Sequence, residues 1–160
     1  MNRDEILANT ETLVVAGSET TASALSGASY LLTTNPRVLR KLAEEVRSFY
    51  TGEDQIDLLS SAKLPYLNAV VEEVLRMYPP APNSLPRETP PQGDIILAER
   101  IPGRTVLACP QYAMYHSEAN FRRAMQFIPE RFMGDLEFQN DRRDCLQPFH
   151  VGPRNCLGKK

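Results

Sequence analysis

The sequence predicts a mainly α-helical fold with a small β hairpin. Three observations support this: apolar residues keep helical spacing in the first half, prolines cluster in the middle, and short strand-like segments follow. Eight of the 13 prolines lie between Pro79 and Pro110, and they separate a helical front half from an irregular rear half. With 160 residues, the chain is long enough for one domain with a core of its own.

The front half contains three predicted helices. The first, from about Asp4 to Thr34, carries a broad apolar face. The second has Asn35 as its cap, Pro36 at its first position and Gly52 as its stop. The third runs from about Pro65 to Tyr78, where two further prolines end it.

The rear half is predicted to be less regular. Strands near Asp94–Leu97 and Thr105–Ala108 form a hairpin around a Pro102-Gly103 turn. Two short helices follow, at about Gln111–His116 and Ser117–Arg123. The long remaining segment has no regular pattern, and we expect a bound cofactor and buried ion pairs to order it.

Composition excludes several classes of protein. The net charge of −2, with 24% charged and 42% hydrophobic residues, predicts a globular protein without a nucleic-acid partner. We expect no membrane segment, because no apolar run is long enough to span a bilayer and no signal-peptide core follows Met1. Three cysteines at no framework spacing are typical of a reducing compartment.

The most informative residue is Cys156, which lies in the run FHVGPRNCLG at positions 149–158. Backbone N–H groups of a tight turn stabilise a thiolate, which is the form of cysteine that binds metals. Gly152 supplies a positive φ, and Gly158 leaves room for a flat macrocycle close to the backbone. Arg154 offers a cation to carboxylates, and Phe149 shields the sulfur from water.

The pattern F-x-x-G-x-R-x-C-x-G resembles the ligand loop of the cytochrome P-450 haem-thiolate monooxygenases. The resemblance implies haem b as the cofactor, with its iron bound axially by Cys156. The ending QPFHVGPRNCLGK, from position 147, is similar to fungal members of secondary metabolism. Three further motifs extend the resemblance along the chain.

The first of these motifs is AGSETT, at positions 16–21 of the first predicted helix. Glycine and threonine are poor helix formers, so a requirement other than stability selects them. Gly17 lets a flat ligand approach the backbone, and a threonine hydroxyl that bonds back one turn loosens the helix into a groove. The resemblance implies that Glu19 and Thr20 deliver protons to dioxygen bound on iron. Without the resemblance, the AGSETT segment would be interpreted as part of a surface helix rich in serine and threonine, with an ordinary glutamate.

The other two motifs are EVLR, at positions 73–76, and PERF, at positions 129–132. Glu73 and Arg76 are three residues apart and can pair on one helix face. The resemblance implies that Arg131 joins them in a single buried ion network. Glu72 is the rival acid, but only Glu73 has the required offset.

Other polar residues allow more than one interpretation. Arg87 resembles an arginine that reaches a haem propionate, and a solvated loop arginine is the alternative. His150 stands where the family more often has a small residue, so it is either a tolerated variant or a contact near the propionates; His116 is interpreted as structural. A zinc site formed by these histidines with Cys145 and Cys156 matches no common finger spacing.

The resemblance also predicts how the chain relates to a complete family member. Residues 1–160 correspond to the C-terminal, haem-side portion of a single domain, from the oxygen-binding helix to just past Cys156, and we expect truncation at both ends. A full-length eukaryotic homologue is expected at the endoplasmic reticulum membrane. Without the family's anchor, this chain is expected in the cytosol.

The predicted activity follows from the resemblance. Family members insert one atom of dioxygen into a small apolar organic substrate, with electrons from NADPH delivered by a partner reductase. The alternative is a non-catalytic, truncated gene product that keeps the motifs without a working site. A haem sensor or electron carrier has support from the ligand loop alone. We expect the isolated chain to bind haem weakly and to turn over no substrate.

Overall fold

A computed structural model describes residues 1–83 and 85–159 of the chain. The α-helices are α1 (Arg3–Thr34), α2 (Pro36–Phe49), α3 (Leu58–Ser61), α4 (Pro65–Met77) and α5 (Gln111–Tyr115). The strands are β1 (Arg87–Glu88), β2 (Asp94–Ile96), β3 (Glu99–Ile101) and β4 (Val106–Leu107). Short 3-10 helices cover Glu53–Gln55, Pro129–Phe132, Leu136–Phe138 and Arg143–Cys145. The predicted class, mainly α with a small β hairpin, is confirmed.

Helix α1 is a long helix that packs through its second half. It begins with a capping box, in which the Asn2 side chain accepts from the Glu5 N–H and the Glu5 carboxylate accepts from the Asn2 N–H. Gly27 and Leu31 are its buried residues, whereas residues 1–22 are all exposed. The exposed part includes most of the predicted apolar face: Ile6, Leu7, Leu13, Val14 and Val15.

Helix α2 starts at Pro36 as predicted. Asn35 and Gly52, the predicted cap and stop, do not act as expected. The side chain of Asn35 does not cap α2, because its amide donates to the Leu31 carbonyl at 2.8 Å and so closes the end of α1. Helix α2 ends at Phe49, three residues before Gly52. Asn35 therefore occupies the predicted N-cap position without a capping side-chain hydrogen bond, whereas the predicted stop at Gly52 was wrong.

Helix α4 receives its N-terminal cap from α2 rather than from its own sequence. The Glu45 carboxylate accepts from the backbone N–H groups of Tyr66 and Leu67, both at 2.8 Å. These N–H groups have no partner within the helix, and a carboxylate at a helix N-terminus also interacts favourably with the helix dipole. The contact fixes α2 against the start of α4.

The predicted strand pairing was wrong. Strand β2 pairs with β3 through a two-residue turn at Leu97 and Ala98, whose φ values are 51° and 66°. Strand β4 instead pairs with β1, with Arg87 opposite Leu107. Positive φ at both central residues matches the twist of a tight hairpin, and neither Leu nor Ala is a residue that signals it. Gly103 instead allows a close approach between two backbone segments, since a Cβ there would lie 2.0 Å from the Pro91 carbonyl oxygen.

The predicted helix at Ser117–Arg123 is also wrong, because this segment forms successive turns. The Glu118 carboxylate accepts from the backbone N–H groups of Arg123 and Ala124, at 2.9 and 3.0 Å. Arg123 has a φ of 52°, which is incompatible with continued right-handed helix. A side chain thus takes the N–H groups that a helix would have paired internally.

Within residues 1–83 and 85–159, two apolar clusters of buried residues form the core. The first joins α1, α2 and α4 and contains Leu31, Val38, Tyr66, Val70, Val74 and Phe127. The second lies under α5 and the rear segment and contains Tyr115, Phe121, Ala124 and Leu146. Among the described helices, none combines the length and apolar character needed to cross a bilayer.

Candidate functional site

The loop that carries Cys156 is closed by backbone hydrogen bonds. The Cys156 N–H donates to the Phe149 carbonyl at 2.8 Å, and the Asn155 N–H donates to the Gly152 carbonyl at 3.1 Å. Gly152 has a φ of +81°, so the loop needs its conformational freedom. His150 also has a positive φ, of 57°. The bonds bring the first and last parts of the motif together.

The residues around the sulfur suit a thiolate ligand for a flat group. Cys156 is exposed, and a Cβ built on Gly158 would lie 3.6 Å from its Sγ, within van der Waals contact of the sulfur. Phe149 contacts Cys156 through its backbone carbonyl and is itself exposed. Arg154 is exposed on the same loop. This donor set, with one soft sulfur and open space beside it, fits a cysteine that would hold haem iron.

The structure does not bring together the ligands of the zinc alternative. Among the described residues, no group of three or more His, Cys, Asp or Glu side chains could hold a metal ion. The His116 Nδ1 lies 2.9 Å from the Tyr112 carbonyl oxygen, and its ring stacks on that tyrosine at 4.0 Å. The contacts of His116 are therefore with its own helix.

The AGSETT motif lies on the exposed part of α1. The Thr20 hydroxyl donates to the Ala16 carbonyl at 2.7 Å, and the Thr21 hydroxyl donates to the Gly17 carbonyl at 3.1 Å. Gly17 has open space around it, and Glu19 is exposed. The back-bonding expected of the threonine is present, but α1 remains α-helical through the motif.

Arg87 is exposed on β1. Its Nη1 donates to the carbonyls of Leu85 and Pro86, at 3.3 and 3.0 Å. These contacts hold the guanidinium against its own segment. Its predicted propionate contact therefore stays a prediction.

The E-x-x-R and P-E-R-F motifs meet in a buried ion network. Glu73, Arg76 and Arg131 all have side chains with 0% exposure. The Glu73 carboxylate accepts from Arg76 Nε at 2.7 Å and from Arg131 Nε at 3.1 Å. It also accepts from the Ile128 N–H at 2.8 Å, so every charge at this centre is paired.

Both arginines also bind backbone carbonyls. Arg76 Nη1 donates to the carbonyls of Tyr115 and Ala124, at 2.8 and 2.7 Å. Arg131 Nη1 donates to the Arg122 carbonyl at 3.1 Å, and its guanidinium carbon lies 4.6 Å from the centre of the Phe138 ring. The network thereby organises a rear segment that has little regular structure of its own.

Sequence reasoning missed a fourth member of this network. Arg131 forms an ion pair with Asp141, whose side chain is only 2% exposed. The other Asp141 oxygen accepts from the Arg122 N–H at 2.8 Å. Two acids and two arginines make the network electrically neutral. No local spacing signal could identify Asp141, because it lies in an irregular segment ten residues beyond its partner.

A second ion network links α2 to the PERF segment and was also missed. Glu130 accepts two hydrogen bonds from Arg37, at 2.7 and 3.1 Å, and one from Lys41 at 3.2 Å. The hydrogen bond from Arg37 is the main reason that the pKa of Glu130 falls to about 2. Burial raises the pKa of Tyr66 to about 12, so its hydroxyl stays protonated and donates to Glu130 at 3.3 Å.

The fold and the site define a mainly helical protein that presents one exposed cysteine from a closed glycine-containing loop, within a scaffold organised by buried ion pairs. The family model for cytochrome P-450 matches residues 1–160. The chain therefore belongs to the cytochrome P-450 family.

Curated relatives agree with this assignment. The chain is 50% identical over 159 residues to cytochrome P-450 monooxygenase astA of Talaromyces wortmannii, covering 99% of this chain and 32% of the relative. It is 48% identical to monooxygenase prhB of Penicillium brasilianum, with 98% and 32% covered. It is also 48% identical to averantin hydroxylase of Dothistroma septosporum, with 100% and 30% covered. The chain thus spans about a third of the length of these fungal relatives.

Proposed function

We propose that residues 1–160 form the haem-side portion of a single monooxygenase domain that binds haem b through Cys156. The observation that carries the proposal is the closed loop, in which the Cys156 N–H donates to Phe149 while the sulfur stays exposed beside Gly158. When bound, the haem supplies the redox centre for transfer of one oxygen atom from dioxygen to a small apolar organic substrate.

The loop residues hold and shield the thiolate. The backbone bonds fix the direction of the Cys156 side chain, and Gly152 provides the reversal that closes the loop. Once the cofactor is bound, Phe149 would limit access of water to the sulfur. Arg154 and Arg87 supply cations for the carboxylates at the edge of the cofactor, where a guanidinium pairs with two oxygens at once.

Helix α1 supplies the groups that handle protons. The Thr20 hydroxyl donates its hydrogen to the Ala16 carbonyl, so its oxygen can still accept a hydrogen bond from another donor. Glu19 is exposed next to it and can exchange protons with water. Gly17 leaves the helix surface open for a flat ligand. Electrons reach the site from NADPH through a partner reductase, as the family assignment supports.

One observation favours a second candidate, a non-catalytic gene product that keeps the motifs without a working site. Residues 1–22 are all exposed, so Gly17, Glu19 and Thr20 have no packing partner within the described residues. A proton-handling helix that is open to water does not control which protons reach the reacting atoms. On this basis we expect the isolated chain to bind haem weakly and to give no product.

Ligation is tested by adding haem to the chain and recording the carbon monoxide difference spectrum of the reduced form. A strongly red-shifted band is expected in the wild type and in Cys109→Ser, which alters another exposed cysteine. The band should be lost in Cys156→Ser, and its survival there would overturn the proposed ligand. Incubation with NADPH, reductase and candidate substrates tests the second candidate, which product formation would exclude.

A further inference from the structure

Helix α5 holds both backbone groups of one residue at the start of the cysteine loop. The Gln111 Nε2 donates to the Gln147 carbonyl at 2.9 Å, and the Gln147 N–H donates to the Tyr115 hydroxyl at 2.9 Å. Gln111 and Tyr115 are one helical turn apart, so they project from the same face of α5. Both are buried, with 2% and 0% exposure.

Gln147 in turn is bonded to the loop itself. Its carbonyl also accepts from the His150 N–H at 2.9 Å, and the neighbouring Phe149 carbonyl accepts from the Cys156 N–H at 2.8 Å. The Gln111 Nε2 lies 3.4 Å from His150 Nε2, which gives a second contact to the same turn. A continuous series of bonds therefore connects α5 to Cys156.

The other end of the series reaches the buried ion network. The Tyr115 carbonyl accepts from Arg76 Nη1 at 2.8 Å, while its hydroxyl accepts from Gln147. Tyr115 therefore contacts the arginine network through its backbone and the cysteine loop through its side chain. Burial raises the pKa of Tyr115, which keeps the phenol neutral at this junction.

Gln111 is not the residue that stability alone would select. Its Oε1 is buried and has no hydrogen-bond partner within the described residues. Leaving a buried carbonyl oxygen unpaired is unfavourable, and an apolar side chain of the same shape would avoid that penalty. The useful part of the side chain is its Nε2, which binds Gln147.

We infer that Gln111 and Tyr115 are positioning residues for Cys156, and that they act by holding the Gln147 backbone. They fix where the loop leaves the scaffold and so the direction in which the sulfur points. The consequence for an iron ligand rests on the proposed function, whereas the consequence for the loop does not.

The effect of Gln111 and Tyr115 on the cysteine loop is tested by hydrogen exchange on the 160-residue chain. Gln111→Met keeps the length and bulk of the side chain, and Tyr115→Phe keeps the ring. We expect each variant to accelerate exchange at the amides of His150 and Cys156 by about 10-fold, with exchange in α4 and the melting temperature nearly unchanged. Tyr112→Phe, an exposed position on the same helix, is the matched control and should change these amides less than about 2-fold. Unchanged exchange at both amides in Tyr115→Phe would overturn the inference.

A spectroscopic measurement separates positioning from general support of the fold. With added haem and carbon monoxide, Gln111→Met and Tyr115→Phe should show a weaker red-shifted band than the wild type. The lost intensity should appear at the wavelength at which Cys156→Ser absorbs. If exchange is accelerated but the red-shifted band is unchanged in Cys156→Ser, the positioning role of Gln111 and Tyr115 is supported and the proposed ligand is rejected. If the band is lost in Cys156→Ser but exchange is unaltered in Tyr115→Phe, Cys156 is supported as the ligand and the positioning role is rejected.

Discussion

Arg131 and Asp141 form an ion pair whose side chains are 0% and 2% exposed. Together with Glu73 and Arg76, the pair makes a buried cluster with no net charge. The cost of removing four charged groups from water is offset only while all of them are paired. The stability of this chain should therefore depend strongly on each member.

Asp141→Asn should destabilise the chain by about 3 kcal/mol, because it leaves the buried Arg131 with one carboxylate instead of two. Urea denaturation followed by circular dichroism measures the change. Asp144→Asn is the matched control, since Asp144 pairs with Arg142 at the surface with 66% exposure, and it should have little effect. Equal stability of the two variants would contradict the assigned role of Asp141.

Two adjacent acids on α4, Glu73 and Glu72, should differ strongly in their response to the same substitution. Glu73→Gln removes the charge that pairs two buried arginines, so we expect a loss of about 4 kcal/mol and little folded protein. Glu72→Gln should be tolerated, because Glu72 is exposed on α4 and does not belong to the buried ion network. Thermal melts of both variants provide the test, and a well-folded Glu73→Gln chain would show that the network is dispensable.

The contribution of Glu130 should depend on pH. Its pKa falls from 4.5 to about 2 in the folded chain, so its stabilising effect is complete above pH 4.5 and is lost as pH falls toward 2. Because Arg37 is largely exposed, solvent screening reduces the effect of Glu130→Gln at neutral pH to about 1 kcal/mol. Urea titrations of both chains at pH 7 and pH 3 measure it. A difference that is as large at pH 3 as at pH 7 would contradict this origin.

Two glycines of α1 should respond oppositely to alanine. Gly17→Ala should stabilise the chain by about 0.8 kcal/mol, because the position is helical and has open space around it. Gly27→Ala should destabilise it, since the new Cβ would lie 2.5 Å from Cδ1 of Tyr78. Thermal melts compare the two variants with the wild type.

A haem titration of Gly17→Ala then separates stability from function. If a flat ligand approaches the backbone at this residue, the stabilised variant should bind haem more weakly than the wild type. Unchanged affinity would show that Gly17 does not face the cofactor.

The sequence predicted those elements that depend on neighbouring residues. The starts of α2 and α4 follow from Pro36 and Pro65, because a proline in the first turn lacks only an N–H that the helix does not use. The positive φ of Gly152 likewise follows from its residue type. The prediction failed where side chains bound backbone groups other than the predicted ones: the Asn35 amide donates to the Leu31 carbonyl of α1, and the Glu118 carboxylate accepts from an N–H group of the following turn.

The amino-acid sequence alone determined the family, the main helices and the positive φ of Gly152 in the cysteine loop, because each depends on residue types at short, fixed spacings. Only the tertiary structure decided that β4 pairs with β1, that Asp141 completes the buried cluster, and that Gln111 reaches Gln147. The physical reason is that hydrogen bonds and ion pairs form between groups that folding brings within about 3 Å, whatever their separation along the chain.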